Sequence, residues 1–303
     1  MNNINILVAT NNNYLLPTMT MLYSLMVHTK EKIVVYVLHS ELTENEKNKI
    51  DALLLKAGHS KAEYIRISEK EFEGYHTEKW ISKETYYRLL AQKLLPESVE
   101  RILWLDGDTI VRGDLSDFYH MDLKGKLIAA CDLGFLNESN RADVLKRLFL
   151  PSDAKPFNAG VILYDMEEIQ KHIDPDIYMQ YVQYLGKHLF FADQDVLNAV
   201  FYNQVYYVDP HVYNWIRIFE PIEMTGKRVD FRAVKILHYN GSSKPWNADY
   251  CGLYSHVFWR YAKHIEGWEL CYEDVKESQR KSRRKRLNIL RKKEQERKEK
   301  PND

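Results

Sequence analysis

Cysteine is scarce in this chain of 303 residues, with only Cys131, Cys251 and Cys271. None stands in a C-x-x-C pair, so neither a disulfide framework nor a cysteine zinc site is expected, and a reducing cytoplasm suits the chain. Also lacking is any apolar run near the roughly 18 residues that a spanning helix requires. The opening MNNINILVAT has no basic n-region, and its apolar stretch is too short for a signal peptide. Any membrane contact is therefore expected to be peripheral, at the inner face. No internal repeat and no long Gly/Ser/Pro linker interrupts the sequence. One continuous domain over residues 1–275, followed by a tail over 276–303, is the simplest division.

Net charge is absent too, but only in the sum. Residues 276–303 hold 13 Lys+Arg against 5 Asp+Glu, so the rest of the chain is acidic by the same margin. The tail reads either as a solvated or disordered end or as a basic surface for an anionic membrane. No recognition fold accompanies its charge, so nucleic acid is not an expected partner. What the chain does have is 45% hydrophobic residues, which supports a packed core and excludes global disorder. Its 21 tyrosines serve packing first, and some suit stacking on sugars or bases.

The first hundred residues alternate strand and helix signals. Ile4–Ala9, Ile33–Leu38, Tyr64–Ile67 and Arg101–Leu105 read as strands. Leu15–His28, Thr43–Ala57 and Ser82–Leu95 read as helices, the second opening on a capping box of Thr43 and Glu46. This order predicts an α/β fold with a mostly parallel sheet covered by helices. Further on, Leu127–Cys131, Ala159–Tyr164, Val205–Val208 and Val234–Leu237 read as strands, with helices at Ile177–Leu185 and Gln194–Phe201. Ligands of such sheets bind beyond the carboxyl ends of strands. Two loops qualify: Thr10 to Tyr14 and Asp106 to Asp108.

D-x-D occurs three times, at 106–108, 174–176 and 193–195. Asp174-Pro175-Asp176 suits a turn or helix start. Only Asp106-Gly107-Asp108 follows a hydrophobic strand, ILWL. If the backbone stays extended there, both carboxylates face one side, with the small Gly107 admitting another group between them. Two convergent carboxylates bind a hard divalent cation, which would neutralise a diphosphate leaving group. A plain loop or helix-capping role stands beside that one. So do a phosphatase of the haloacid-dehalogenase type, in which an apolar strand ending in D-x-D supplies Asp106 as nucleophile, and a non-catalytic protein that binds a nucleotide-sugar with metal and never releases the nucleotide.

Six segments in order resemble the family 8 glycosyltransferases. They are VATNNNY (8–14), TYYRL (85–89), LWLDGDTIVRGDL (103–115), FNAGVILYD (157–165), ADQDVLN (192–198) and LHYNGSSKPW (237–246), the last matching H-x-x-G-x-x-K-P-W. The resemblance implies a GT-A fold, Rossmann-like, and a retaining transferase. It would move glucose or galactose from a UDP-sugar to a glycan, glycoprotein or glycolipid acceptor. It implies Mn2+ or Mg2+ on Asp106, Asp108 and His238, with Lys244 on the diphosphate and Gly241 admitting backbone to it. Ala9, Thr10, Asn11 and Tyr14 would line the uridine site, although the family's acidic residue in that loop is replaced here by Asn11 and Asn12. Arg88, Asp132, Asn158, Asp193 and Gln194 would surround the donor sugar. Gln194 and Asp193 are the catalytic candidates, with Gln194 stabilising an oxocarbenium-like state through its carbonyl. Trp80 stands where the family has a histidine.

Each of these residues also has an ordinary reading. Arg88 lies at helical spacing from Glu84 and suits a surface ion pair. Asp193 suits a helix cap, and Asn158 the start of a strand. His238 suits a core histidine, and the GSSKPW segment a solvated turn.

Overall fold

The computed structural model describes residues 3–72, 83–133, 138–216, 231–248, 250, 254–269, 271–273, 275–278 and 281. Its strands are β1 (Ile4–Ala9), β2 (Ile33–His39), β3 (Glu63–Arg66), β4 (Arg101–Leu105), β5 (Thr109–Val111), β6 (Ile128–Asp132), β7 (Phe157–Asp165), β8 (Val205–Val208), β9 (Trp215–Ile216) and β10 (Ile236–His238). Its α-helices are α1 (Leu15–His28), α2 (Glu44–Lys56), α3 (Ala91–Leu94), α4 (Ser116–Tyr119), α5 (Glu138–Arg147), α6 (Met166–His172), α7 (Ile177–Leu185), α8 (Asp193–Phe201), α9 (Pro210–Tyr213) and α10 (Ser255–Ala262).

Seven strands form the central sheet in the order β3-β2-β1-β4-β7-β6-β8. The β1–β2, β2–β3, β1–β4 and β6–β8 pairs are parallel. β7 runs antiparallel to both β4 and β6. That reversal brings the start of β7 beside the end of β4, where a wholly parallel sheet would have placed a strand end. Side chains of β4 alternate between two cores, with Ile102 and Trp104 in one and Leu103 and Leu105 in the other. β1 divides the same way, Leu7 against Ile6 and Val8. A strand buried on both faces reads as a continuous apolar run, and ILVA and ILWL are such runs. Each fully buried Ile or Leu contributes about 2 kcal/mol of hydrophobic stabilisation.

Local signals account for the helices. The capping box of α2 forms in both directions, with Thr43 N donating to Glu46 Oε2 at 2.7 Å and Glu46 N donating to Thr43 Oγ1 at 3.4 Å. Asp174 makes a turn by accepting from Asp176 N at 2.9 Å, just before α7. The helix expected over Ser82–Leu95 is divided: a 3-10 helix spans Lys83–Leu90, and α3 is a single turn. Tyr86, Tyr87, Leu89 and Leu90 are all buried, so the segment is packed on several sides and tightens accordingly.

A second, three-stranded sheet, β5-β10-β9, flanks the first. β10 pairs antiparallel with β5, placing His238 opposite Thr109. Its core is rich in aromatics, including Trp215, Tyr239, Tyr250, Phe258 and Trp259 from β9, β10, α10 and their connections. Val275 is buried in this third core and residues 275–278 are helical, so ordered structure continues past residue 275. Residues 282–303, the bulk of the basic tail, lie outside the described residues. No described helix is long and apolar enough to cross a membrane.

Candidate active site

A cleft of about 660 Å³ opens where the ends of β1, β4 and β10 meet the start of β7 and the first turn of α8. Fourteen of the fifteen residues expected to bind or catalyse line it. The exception is Asp132, which ends β6 opposite Phe157 and is not among the residues lining the cleft. Trp80 lies outside the described residues.

Asp106 and Asp108 converge, but not through an extended chain. The backbone turns at Gly107, with Thr109 N donating to Asp106 O at 3.1 Å. A Cβ on Gly107 would lie 2.6 Å from Thr18 Oγ1 of α1, so helix α1 requires glycine there. The group that Gly107 admits is thus a helix of the protein itself. The turn leads directly into β5, and the β5–β10 ladder delivers His238: Tyr239 N donates to Asp108 O at 3.0 Å. His238 Nε2 then stands 3.3 Å from Asp108 Oδ1 and 3.7 Å from Asp106 Oδ2.

Oxygen and nitrogen donors of the three side chains all lie within 4.8 Å of one another. Two carboxylates and an imidazole are the donor set that suits Mn2+ or a similar divalent ion. Gly160 on β7 completes the cradle. A Cβ at that position would come within 2.2 Å of His238 Cε1 and 2.8 Å of Asp106 Oδ2. The residues therefore fit a divalent cation, and Gly160 keeps the space in which they converge.

The tautomer of His238 follows from backbone amides. Gly160 N donates to Asn158 Oδ1 at 2.9 Å, which fixes that oxygen as an acceptor. The atom of Asn214 that meets it at 2.8 Å must then be Nδ2, a donor. Asn214 Oδ1 is left to accept from His238 Nδ1 at 2.8 Å. Nδ1 therefore carries a proton, and Nε2 is the ring nitrogen turned toward the acidic pair and available to an ion. Asn214, in the connection between α9 and β9, carried no local motif that would single it out.

Charge in the cluster is balanced by two cations. Lys244 Nζ donates to Asp108 Oδ2, and to Tyr239 O at 2.9 Å. Burial alone would raise the Asp108 carboxyl, but Lys244 and His238 outweigh it and hold it well below the usual range. Arg88 is buried rather than at a surface. Its Nη2 donates to Asp106 Oδ1 at 2.9 Å, its Nη1 to Ala159 O, and its guanidinium lies 4.4 Å from the ring centre of Trp104. Arg88 Nε lies 2.7 Å from Asp193 Oδ2, a charge contact without hydrogen-bond alignment. Burial pushes the Asp193 carboxyl up to about 7, against the pull of Arg88 and with a further push from Asp106.

Gln194 is tied to the start of β7. Its Oε1 accepts from Asn158 Nδ2 and from Ala159 N, each at 3.1 Å. Both lone pairs of this carbonyl are engaged by donors of the protein, so a role toward the donor sugar would require it to release one of them. Asp195 is also committed. It accepts from Phe190 N at 2.6 Å, from Phe191 N at 2.8 Å and from both Arg147 Nη atoms.

At the other end of the cleft, Asn11 Oδ1 accepts from Tyr14 N at 3.0 Å and starts the 3-10 turn Asn12–Tyr14. Thr10 Oγ1 accepts from Thr18 Oγ1 at 3.0 Å, tying the loop to α1. Tyr14 is edge-on to Trp246 with ring centres 5.8 Å apart, so the K-P-W segment buttresses the ring. Gly241 has φ +91, a conformation that favours glycine. It lets the chain turn from β10 back toward Lys244.

Sheet order, cleft and acidic cluster together define a glycosyltransferase of GT-A architecture. The solved galactosyltransferase LgtC, in complex with donor and acceptor sugar analogs, superposes with a TM-score of 0.77 at 22% identity, over 88% of this chain and 100% of that one. The sequence profile described as glycosyl transferase family 8 matches residues 5–250, and the chain belongs to that family. Among curated relatives, glycosyltransferase GlyF of Streptococcus pneumoniae is 26% identical over 271 residues, covering 88% of this chain. The chain spans 63% of the length of GlyF. General stress protein A of Bacillus subtilis is 24% identical, over 78% of this chain and 84% of its own length.

Proposed function

We propose that the protein transfers a glucosyl or galactosyl unit from a UDP-sugar to a hydroxyl of a glycan, glycoprotein or glycolipid, retaining the anomeric configuration. One observation carries this reading: Asp106, Asp108 and His238 converge beside Lys244 in the cleft that Tyr14 lines. Tyr14 offers a ring for the uracil, and Lys244 a cation for the diphosphate. A divalent ion on the triad would supply the remaining charge neutralisation for the leaving UDP.

The surroundings of the carboxylates favour front-face attack over a double displacement. Asp193 faces Arg88, and Asp195 is held by Arg147 and two backbone amides, so neither is open as a nucleophile. The C1–O bond to the diphosphate breaks as the acceptor oxygen bonds C1 from the same side, and the acceptor's proton passes to a diphosphate oxygen. Arg88 and Asp193 shape the sugar's surroundings, and Gln194 positions the start of β7. A glycosyl adduct trapped on Asp193 or Asp195 would refute this path. The phosphatase reading requires a free Asp106 oxygen. Here Oδ1 accepts from Arg88 at 2.9 Å and Trp104 Nε1 at 2.8 Å, and Oδ2 faces His238.

The test is UDP release from UDP-glucose and UDP-galactose with Mn2+, with and without glycan acceptors. Release that disappears on chelation is the expected result, and tight UDP binding with no release from either donor overturns it. The basic tail, from about residue 276, is assigned to the anionic inner face of a membrane, near lipid-linked acceptors. Unchanged vesicle binding at low salt after deletion of 276–303 would remove that assignment.

A further inference from the structure

Among the described residues, six large hydrophobic side chains are conspicuously exposed, and four of them lie in one region: Phe149 at 56%, Tyr184 at 64%, Phe190 at 56% and Phe191 at 51%. The region is continuous. Phe149 lies 5.6 Å from Tyr184 and 5.3 Å from His188 between ring centres. Arg147 connects it onward, donating to His188 O at 2.6 Å while its guanidinium lies 5.8 Å from the Phe190 ring centre. Phe190 packs edge-on to Phe191 at 4.8 Å, and both of these rings line the cleft. The strip thus starts in the cleft and runs out over the ends of α5 and α7.

Its construction is specific. Phe149 has φ +56, a left-handed conformation that is rare for an aromatic residue, and it holds the ring outward just past α5. The Asp195 carboxylate and Arg147 tie down the backbone under Phe190 and Phe191, so those rings stand on a fixed base. Exposed apolar area gathered at one place marks a binding surface. The exposed large apolar side chains of the strip are all aromatic rings, and the polar groups of Tyr184, His188 and Arg147 lie among them. Flat rings with polar edges match the C–H faces and hydroxyl rims of hexoses, and ring separations near the length of one hexose suit a chain of them.

We propose that this strip is an extended acceptor subsite, on which the second and later residues of a glycan acceptor stack while its terminal hydroxyl enters the cleft. This rests on the reading of the cleft as a donor site. The strip makes the enzyme selective for acceptor length, with sequence tolerance, because stacking reads faces and not individual hydroxyls.

The test measures binding of malto-oligosaccharides and β-1,4-galacto-oligosaccharides of one to six residues, in the presence of UDP and Mn2+, with phosphatidylglycerol vesicles as a separate arm. The full chain is compared with Phe149→Asn, in which asparagine tolerates the left-handed backbone, and with Tyr184→Ala on the exposed side of α7. For at least one series, affinity is expected to rise ten-fold or more from one residue to four. Each variant should lose most of that rise while changing single-residue binding less than two-fold. Affinity flat with length in both series overturns the proposal, as does a rise that both variants keep. Variants that lose vesicle binding while keeping the glycan rise would make the strip a membrane contact, and overturn it too. UDP affinity, measured alongside, judges the cleft separately: a protein that binds no UDP refutes the donor reading, while the glycan series still decides the strip.

Discussion

His238 donates its Nδ1 proton to Asn214 Oδ1 at 2.8 Å, and that contact decides which ring nitrogen faces Asp106 and Asp108. Replacing Asn214 by Ala removes the acceptor and frees the tautomer. Mn2+ affinity should fall roughly 10- to 100-fold, the usual effect of losing such a partner. Titration calorimetry with the metal alone measures it, and an unchanged affinity would show that the ring is oriented by packing instead.

Gly160→Ala tests the cradle. The added methyl would meet His238 Cε1 and Asp106 Oδ2, so ring and carboxylate must part. Metal binding is expected to fall below detection by calorimetry, while far-ultraviolet circular dichroism keeps the wild-type spectrum. Mn2+ affinity within three-fold of wild type would contradict the placement of β7.

Lys244 competes with a metal for Asp108 and would serve the diphosphate once displaced. The two roles pull a Lys244→Met variant in opposite directions. Its affinity for Mn2+ alone should rise several-fold, and its affinity for UDP in saturating Mn2+ should fall at least ten-fold. A loss of both would mean that Lys244 chiefly holds the fold together.

Asp195 is nearly fully buried and accepts from two backbone amides and a guanidinium. Asp195→Ala leaves Arg147 and both amides without their acceptor. The cost should be about 3 kcal/mol in chemical unfolding. A variant of wild-type stability would show that these contacts are not maintained in solution.

His39, at the end of β2, is 2% exposed, and burial lowers its pKa to about 4. The unfolded chain takes up this proton near pH 6.5, so folding stability is lost as pH falls from there toward 4. Between pH 7 and pH 5 the loss from this one group is about 2 kcal/mol. His39→Asn keeps an acceptor for Leu42 N and should shed that part of the acid sensitivity. Parallel stability curves for variant and wild type would reject this assignment.

Much of this architecture was legible along the chain because its causes are local. β1, β4 and α1 fall on their expected bounds, since an apolar run, a helical period and a cap are written in consecutive residues. The meaning of Asn214 and Gly160 was not legible. One acts through a histidine 24 positions away, and the other matters for what its missing Cβ would strike. The convergence of Asp106 and Asp108 was anticipated for a partly wrong reason, an extended strand, whereas a turn and a second sheet produce it. Arg88 was ambiguous because helical spacing cannot tell an outward face from a buried one.

The two cations beside the acidic pair bear on how an ion binds there. Arg88 stands on Asp106 and Lys244 on Asp108, so each carboxylate has a cationic partner supplied by the chain itself. An ion entering the triad would trade places with the Lys244 ammonium on Asp108, so binding there is an exchange of cations and not the neutralisation of bare carboxylates.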